Sequence, residues 1–307
     1  MSSDATALGD RMKGYEAATR AVLPRRTYTI VRADMRAAHA YLRRAARPFD
    51  ENFMAAMDST AAALCAEMSG AALAYVQSDE ISVLLTDFGS VHAEPWFGGI
   101  VQKMASIAAG TATAAFAGQE FATARPAAER YPVFDARVFT VPDPVEVANY
   151  FVWRQRDCTR NSVSMAAQAH FSHKRLHGLN GSEMQELLWS EKGINWNDYP
   201  DGAKRGRVCV RVTGEEEVTY TDKRSGEEVT VDAVRSRWCT QAAPHFAAVP
   251  GSFLAEVIPP PPALEANQSP SRHVTANPGI PSPGLMTRAG SGRATPSRRP
   301  TPSGGQA

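Results

Sequence analysis

The sequence predicts an α+β fold with a ferredoxin-like βαββαβ core, a helical and β-hairpin extension, and a disordered C-terminal tail. Three observations predict it. Strand-like and helix-like runs alternate in that order over residues 24–142. Two apolar runs flank a short polar turn near the middle of this region. Residues 258–307 are rich in Pro, Ser, Gly and Arg and have few of the apolar residues that a packed core needs.

The first strand and the first core helix have clear local signals. Residues 26–32 are rich in β-branched and aromatic side chains, which favours a strand. Asp50 is a natural N-cap for a run that extends to Met68 with apolar residues at helical spacing. Gly70 is expected to end this helix because glycine adopts the left-handed conformation readily.

The rest of the core completes the βαββαβ order. Residues 71–76 and 81–85 are the two apolar strands of a hairpin. An Ala-rich helix is expected at about 99–116, and the sequence Phe-Asp-Ala-Arg-Val-Phe-Thr-Val at 134–141 predicts the fourth strand. The order is that of the split βαβ arrangement.

The second half is predicted to be mainly helical at first and β-rich later. Helices are expected at 143–173 and 182–192, followed by strands at 207–212, 217–221, 228–234 and 235–240, with a turn at 223–226. The predicted organisation is an N-terminal helical segment at 1–23, a catalytic palm domain at 24–142, an extension at 143–257 and a disordered tail at 258–307.

Composition excludes several classes of protein. The four cysteines form no Cys-x-x-Cys pair, which disfavours a zinc ribbon or a disulfide framework and favours a reducing cytoplasm. No run approaches the roughly 18 apolar residues of a membrane span, and residues 1–15 do not resemble a secretory signal. The net charge is +1: the tail, with five arginines and one glutamate, carries +4, and the rest of the chain carries about −3. The remainder is therefore slightly acidic, so binding to RNA has to use local patches.

Three carboxylates are expected to converge at one edge of the sheet. Asp34 follows the first strand, and Asp79 and Glu80 lie at the tip of the hairpin. A right-handed crossover makes the first two strands parallel, so the end of the first strand and the hairpin turn share an edge. Buried carboxylates are costly without a cation. The pattern therefore predicts a magnesium site with the palm geometry of polymerases and nucleotide cyclases.

An ordered series of motifs resembles one family, the tRNA-His guanylyltransferases and the related 3′-to-5′ RNA polymerases. The resemblance covers about residues 8–214 and is carried by the runs 9–13 (GDRMK), 34–36 (DMR) with His39, 47–50 (RPFD), 75–80 (YVQSDE), 102–106 (QKMAS), 134–138 (FDARV), 149–162 (NYFVWRQRDCTRNS), 171–174 (FSHK) and 193–197 (GINWN).

The resemblance implies nucleotide addition to the 5′ end of tRNA. ATP activates the 5′-monophosphate, and the 3′-hydroxyl of GTP then attacks the activated phosphate and releases AMP. Two Mg²⁺ ions suit such an in-line displacement. Asp34 and Asp79 are the expected bridging ligands, the Met35 carbonyl is a third ligand, and Glu80 is a supporting catalytic carboxylate.

Binding residues are expected on both sides of these ligands. The nucleotide-binding set comprises Asp34, Met35, Arg36, Ala37, Ala38, His39, Arg47, Ser78, Asp79 and Lys103, with backbone amides from Met35 to His39 and the Ser78 hydroxyl holding the triphosphate. The set expected to bind RNA phosphates comprises Arg137, Arg154, Asn161 and Lys174. The expected partners are tRNA and nucleoside triphosphates, and the resemblance implies a homotetramer.

Two departures and one local motif qualify the resemblance. Met35 stands where the family usually has glycine, so the tolerance of positive φ is lost, and Ala38 replaces a common phenylalanine. Residues 159–162 read Thr-Arg-Asn-Ser instead of the eukaryotic His-Ile-Asn-Asn, which resembles the bacterial and archaeal members that repair truncated tRNA 5′ ends. A palm-fold nucleotide cyclase and a non-catalytic RNA-binding module are the alternatives.

Overall fold

The structure, a computed structural model, describes residues 7–126, 131–221, 223–247 and 252–262. Most of the predicted disordered tail lies outside these residues. Where its beginning is described, the prediction is wrong: Ile258 is buried, and the Pro259 carbonyl accepts a hydrogen bond of 2.7 Å from the Tyr28 hydroxyl. The proline run therefore starts as part of the folded unit.

One antiparallel sheet organises the described chain. Its strands are β1 (Tyr28–Met35), β2 (Ala71–Gln77), β3 (Glu80–Leu85), β4 (Phe134–Val141), β5 (Arg207–Thr221) and β6 (Glu228–Ala242). They lie in the order β4-β1-β3-β2-β5-β6. The first four strands have the order of a ferredoxin-like βαββαβ unit, which confirms the predicted core.

Helices cover both faces of the sheet. They are α1 (Ala7–Ala17), α2 (Ala38–Tyr41), α3 (Glu51–Glu67), α4 (Val101–Ala117), α5 (Glu120–Thr123), α6 (Pro144–His170), α7 (His173–Leu176), α8 (Gly181–Lys192), α9 (Asp201–Arg205) and α10 (Ser252–Val257). Short 3-10 turns occur at Leu42–Arg44, Trp96–Gly99 and Trp196–Asp198. Over the described ranges, no helix is both long and apolar enough to cross a bilayer.

Local chemistry sets the ends of the two long helices that flank the site. The carboxylate of Asp50 accepts a hydrogen bond from the Phe53 amide, as the predicted N-cap of α3. Asp143 caps α6 in the same way. Gly70, with φ of 81°, lies in the turn after α3, where an added Cβ would lie 2.2 Å from the Thr86 carbonyl oxygen. Only glycine fits that turn.

The alternation along β1 separates two apolar layers. Val31, Ala33 and Met35 point into the layer formed with α3 and α4. Tyr28 and Ile30 point into the layer formed with α6 and the residues around α10. Because side chains alternate along a strand, Arg32 and Asp34 face the α6 side. The polar site therefore continues the apolar layer beneath α6.

A smaller third core supports the C-terminal half of α6. It joins Val163, Ala166 and Ala167 of α6 to Leu188 of α8 and to Trp196. This packing fixes the α6 residues that line the site.

The structure corrects the predicted strands of the extension. Two continuous strands of 15 residues each replace the four shorter strands, and the turn lies where it was predicted. The outer part of the hairpin is mostly exposed, so no buried face imposes a regular apolar period on its sequence. Gly214 and the mixed polar residues therefore resemble breaks between strands, although the strands are continuous. β5 pairs with β2, so the predicted palm and extension share one sheet.

The N-terminal segment is only partly helical. α1 ends at Ala17 and buries none of its residues. Residues 21–23 then run beside the start of α4, where the Val101 amide donates to the Ala21 carbonyl. The chain thus enters β1 at the end of the strand that is far from Asp34, which lies near the C-terminal end of β1.

Candidate active site

The two principal carboxylates meet at one edge of the sheet. Ser78 and Asp79 form the turn between β2 and β3, and Asp34 lies opposite Glu80 in the ladder between β1 and β3. The Met35 amide donates a 3.0 Å hydrogen bond to the Asp79 carbonyl, which ties the turn to β1. Asp34 belongs to β1 and does not follow its end as predicted. The expected convergence holds because the register of β1 and β3 imposes it.

Negative charge accumulates around Asp34. Burial is the largest cause that raises the pKa of its carboxyl group from 3.8 to about 6, and the charges of Asp79, Glu80 and Asp135 raise it further. Arg137 lowers this pKa. Asp135 is the register partner of Asp34 on β4. A carboxyl group with an elevated pKa among other carboxylates is one that a cation would stabilise in its ionised form.

Glu80, whose role as a supporting catalytic carboxylate stays a prediction, is held by an arginine. Its two oxygens accept hydrogen bonds of 2.9 and 2.8 Å from Arg154, and the two side chains are 10% and 8% exposed. Arg154 also bonds Asp157 at 3.0 Å. The Nε and Nη2 groups of Arg154 are engaged by these carboxylates. Arg154 also lines the cavity described next, and its role in binding RNA phosphate stays a prediction. This network anchors α6 to the hairpin.

A cavity of about 480 Å³ opens beside these groups. We call it the carboxylate cavity. The predicted site residues that line it are Asp34, Ala38, His39, Arg47, Ser78, Asp79, Glu80, Arg154 and Asn161. Its other walls come from residues 42–54, from the C-terminal half of α6 and from α9. Its volume is within the range of small-ligand sites.

The segment after β1 is only partly available to a phosphate group. The amides of Met35 and Arg36 donate to the carbonyls of Asp79 and Val133, so these two amides are engaged, contrary to prediction. Ala37 is left-handed, with φ of 55° and ψ of 35°, and precedes α2. The amides of Ala38 and His39 begin α2, where a helix leaves its N–H groups without intrahelical acceptors.

Met35 needs no glycine-like conformation. Its φ is not positive, and its side chain is buried in the layer beneath α3 and α4. The strained position of this segment is Ala37. The backbone at position 35 therefore needs no glycine, because the left-handed residue is Ala37, two positions later.

Four predicted cations lie outside the carboxylate cavity. Arg36 is exposed and is not part of the lining. Lys103 lies at the start of α4 and contacts the Phe97 ring at 4.8 Å. It is near the edge where β1 begins, about 20 Å of strand from Asp34, so the structure does not place it at the site. Lys174 lies on the short helix α7 beyond the end of α6. Arg137 is exposed on β4, 3.7 Å from Asp135, at the rim of the carboxylate cluster.

Sequence reasoning missed three polar residues beside the site, of which Gln77 and Arg207 are buried and Arg32 is half-buried. Arg32 lies 3.9 Å from Glu80, and its Nε has no hydrogen-bond partner among the described residues. Gln77 lines the carboxylate cavity, and its Oε1 is likewise unpaired within the described ranges. Arg207 reaches the cavity wall from β5 and bonds Asp58. Two of them could have been predicted from the sequence. Because side chains alternate between the two faces of a strand, Arg32 on β1 and Gln77 on β2 lie on the same face of the sheet as Asp34 and Glu80.

The carboxylates at this edge suit magnesium, which binds waters and substrate phosphates as well, better than they suit a metal that takes all its ligands from the protein. In the part of the chain that the structure describes, no group of three or more His, Cys, Asp or Glu side chains is arranged to hold a metal. Magnesium needs only one or two carboxylates when waters and substrate phosphates complete its shell. Asp34 and Asp79 meet that requirement, and burial together with the neighbouring carboxylates raises the pKa of Asp34, so a bound cation would stabilise its ionised form.

The order β4-β1-β3-β2 and the paired carboxylates at its edge define a palm-fold nucleotidyltransferase. Two family models match the chain: residues 9–142 match tRNAHis guanylyltransferase, and residues 145–245 match the Thg1 C terminal domain. The chain belongs to the tRNAHis guanylyltransferase family.

Solved structures and curated proteins agree with this assignment. A bacterial tRNA(His) guanylyltransferase (Thg1)-like protein in complex with ATP is 39% identical, with a TM-score of 0.69 over 82% of this chain and 100% of that one. Such a protein in complex with GTP is 38% identical, with a TM-score of 0.62 over 79% and 95%. The tRNA(His) guanylyltransferase of Debaryomyces hansenii is 29% identical over 66% of this chain and 78% of that protein.

Proposed function

We propose that this nucleotidyltransferase adds nucleotides to the 5′ end of tRNA in the 3′-to-5′ direction, with ATP as the activating nucleotide, GTP or a templated nucleotide as the one added, and Mg²⁺ as the metal. One observation carries the proposal: Asp34 and Asp79 lie together at a sheet edge that opens into the carboxylate cavity. Similar bacterial proteins have been solved with ATP and with GTP, which supports both nucleotides.

The proposed reaction consists of two displacements at phosphorus. First, an oxygen of the tRNA 5′-monophosphate attacks the α-phosphorus of ATP, and pyrophosphate leaves. The 3′-hydroxyl of GTP then attacks the tRNA 5′-phosphorus, the bond to AMP breaks, and the hydroxyl proton passes to solvent. Both steps develop charge on phosphoryl oxygens, so a single electrostatic site serves both.

The residues of the sheet edge would hold the metal and the reacting phosphates. Asp34, Asp79 and the Met35 carbonyl would hold Mg²⁺, which supplies positive charge to the phosphoryl oxygens when bound. The Glu80–Arg154 pair keeps α6 against the hairpin and maintains the cavity wall. The proposal includes two ions, as in other palm enzymes that catalyse in-line displacement.

The remaining lining orients the nucleotide. The amides that begin α2, at Ala38 and His39, and the Ser78 hydroxyl are donors for triphosphate oxygens. Arg47 and Asn161 face the same cavity from opposite walls and provide further donors for phosphate or base. Arg137, at the rim, remains a proposed contact for RNA phosphate.

Repair of truncated tRNAs in general is favoured over maturation of tRNA-His alone. The identities to the bacterial Thg1-like proteins are 39% and 38%, whereas those to curated yeast and mammalian guanylyltransferases run from 25% to 29%. The Thr-Arg-Asn-Ser run at 159–162 supports the same subtype. We also retain a cytoplasmic location and a homotetramer as parts of the proposal. The free state of all four cysteines is consistent with a reducing compartment.

An assay of nucleotide addition to the 5′ ends of two RNAs tests the proposal. The protein is incubated with Mg²⁺, ATP, labelled GTP and either tRNA lacking its first nucleotide or intact tRNA-His without its extra guanylate. We expect label at the 5′ end of both RNAs, and faster incorporation into truncated tRNAs. Exclusive use of tRNA-His would reject the repair subtype. Cyclic product from nucleotides alone would favour the cyclase, and binding without turnover would favour the RNA-binding module.

A further inference from the structure

A second cavity lies behind the segment that follows β1. Its volume is about 490 Å³, and its lining includes Arg36, Tyr41, Arg43, Arg44, Arg125 and Tyr131. We call it the arginine cavity. Residues 36–44 separate it from the carboxylate cavity, because Ala38, His39 and Leu42 line one and their neighbours line the other. The two cavities are thus adjacent, but their chemistry is opposite.

The cations of the arginine cavity are presented by a fixed framework. The Arg125 guanidinium stacks on Tyr41 at 4.1 Å and on Phe121 at 4.6 Å, and it donates a 2.8 Å hydrogen bond to the Tyr41 carbonyl. Stacking of this kind orients a guanidinium while it keeps its charge. Arg125 therefore holds the loop that carries Arg43 and Arg44.

Arginines predominate among the charged residues of the cavity's described lining. Four of its lining residues are arginines, and none of its described lining residues is acidic. Arg36 and Arg43 form no ion pair with a carboxylate of the described ranges, and both are exposed. Tyr131 is 69% exposed at the rim and offers a ring for contact with a sugar or base. Exposed arginines around a cavity are the expected footprint of a phosphate ligand.

We propose that the arginine cavity binds backbone phosphates of the tRNA strand whose 5′ end enters the carboxylate cavity. The inference rests on the proposed function. Arg36 is two residues beyond Asp34, about 7 Å along the backbone, so one strand of RNA can contact both cavities. A magnesium nucleotide fits less well here, because the described lining offers no carboxylate for the metal. A local basic site also explains how a fold without a large net positive charge binds RNA.

The test measures equilibrium binding of 5′-monophosphorylated tRNA at several salt concentrations for the full-length protein. The variants are Arg36→Gln, Arg43→Gln and their combination, with the exposed Arg20→Gln as a control that also removes one charge. We expect the double variant to bind tRNA at least about tenfold more weakly and to lower the slope of log K against log salt by about 1 to 2. Arg20→Gln should leave both quantities unchanged.

A second measurement separates RNA from nucleotide. ATP and GTP affinities are measured by titration with Mg²⁺ present, and thermal unfolding confirms that each variant folds. The Arg36 side chain does not line the carboxylate cavity, and Arg36 was expected to hold nucleotide only through its backbone amide, which donates to Val133 and is kept in the variant. The proposal therefore requires nucleotide affinities within about twofold of wild type in the double variant. Unchanged tRNA binding, or a parallel loss of ATP and GTP affinity, would overturn it. Because the assay needs no turnover, wild-type protein that binds tRNA through these arginines without extending it would defeat only the proposed function.

Discussion

Asp34 shows how the candidate active site is encoded at the scale of single residues. It occupies a strand position whose neighbours on both sides, Glu80 and Asp135, are acidic. Burial and these charges raise the pKa of Asp34 to about 6. The folded chain therefore binds a proton at Asp34 more tightly than the unfolded chain does.

That elevated pKa has a testable consequence for the metal-free protein. A carboxyl group with a raised folded-state pKa costs stability as the pH rises from about 4 to about 6, and the deficit persists above that range. In EDTA, Asp34→Asn should therefore be more stable than wild type at pH 7.5, and the difference should shrink toward pH 4. Thermal unfolding at both pH values measures this.

The control and the metal response complete this test. Asp232→Asn changes an exposed aspartate on β6 and should show no such pH-dependent gain. Adding Mg²⁺ at pH 7.5 should raise the melting temperature of wild type more than that of Asp34→Asn. A gain for Asp34→Asn that is equal at both pH values would show that ionisation of the buried Asp34 carboxyl group is not its cause.

The Glu80–Arg154 pair gives a second prediction at this scale. Removing one partner of a buried ion pair leaves an uncompensated charge and costs about 3–5 kcal/mol. Arg154→Met should therefore destabilise the protein strongly, whereas adding Glu80→Gln to it should recover part of the loss. Denaturant unfolding of the two single variants and the double variant measures the coupling. Additive losses would mean that the contact contributes no specific pairing energy.

Sequence reasoning located the carboxylates but not their partners. The order of elements and the hairpin motif were enough to bring Asp34 to Asp79, because sheet register follows from topology. The sequence could not show that Arg154 neutralises Glu80, since that contact depends on how α6 crosses the sheet. The sequence also could not show that Lys103 lies at the opposite edge of the sheet. The motif around Lys103 predicts that the residue is on a helix, but it does not say which end of the sheet that part of the helix is near.

At the scale of elements, the joint between β2 and β5 makes one sheet from two predicted regions. Gly206 precedes β5 with φ of 79° and ψ of −172°, a region that essentially only glycine adopts. A Cβ there would lie 2.6 Å from the Tyr75 hydroxyl oxygen and 2.7 Å from the Val76 carbonyl oxygen. The close approach lets the extension pair directly with the palm.

Replacement of this glycine should therefore weaken the joint. Gly206→Ala is expected to lower the free energy of unfolding by at least about 1–3 kcal/mol, from backbone strain alone. Gly214→Ala is the matched control, because no atom lies within 4 Å of its Cβ position and its φ is not positive. Chemical denaturation compares the two. Equal stabilities would contradict the role given to Gly206 in joining β5 to β2.

At the scale of the whole molecule, the folded unit extends beyond the boundary that composition suggests. Leu254 and Ile258 are buried beside Phe246 in the layer beneath α6. Composition marks a proline run as the start of a tail because it averages over several residues. Such an average cannot show that a single aliphatic side chain, such as Ile258, packs into the core.

Two truncations separate the folded unit from the remainder. A chain ending at residue 262 should keep both its melting temperature and its catalytic rate. A chain ending at residue 251 loses Leu254 and Ile258, whose burial contributes about 1.5–3 kcal/mol each, and should unfold at a clearly lower temperature. Equal melting temperatures for the two truncated chains would refute the packing of α10.

The central claim is that Asp34 and Asp79 form the site that transfers a nucleotidyl group to the tRNA 5′ end. The most direct measurement omits GTP and follows label from the α-phosphate of ATP onto 5′-monophosphorylated tRNA in the presence of Mg²⁺. Wild type should transfer the label to the 5′ end. Asp79→Asn should lose more than about 100-fold, since even groups that support metal ligands cost 10–100-fold, while Asp135→Asn, at the exposed rim, should lose less than about tenfold. Absence of label at the 5′ end, or equal rates for the two variants, would contradict the claim.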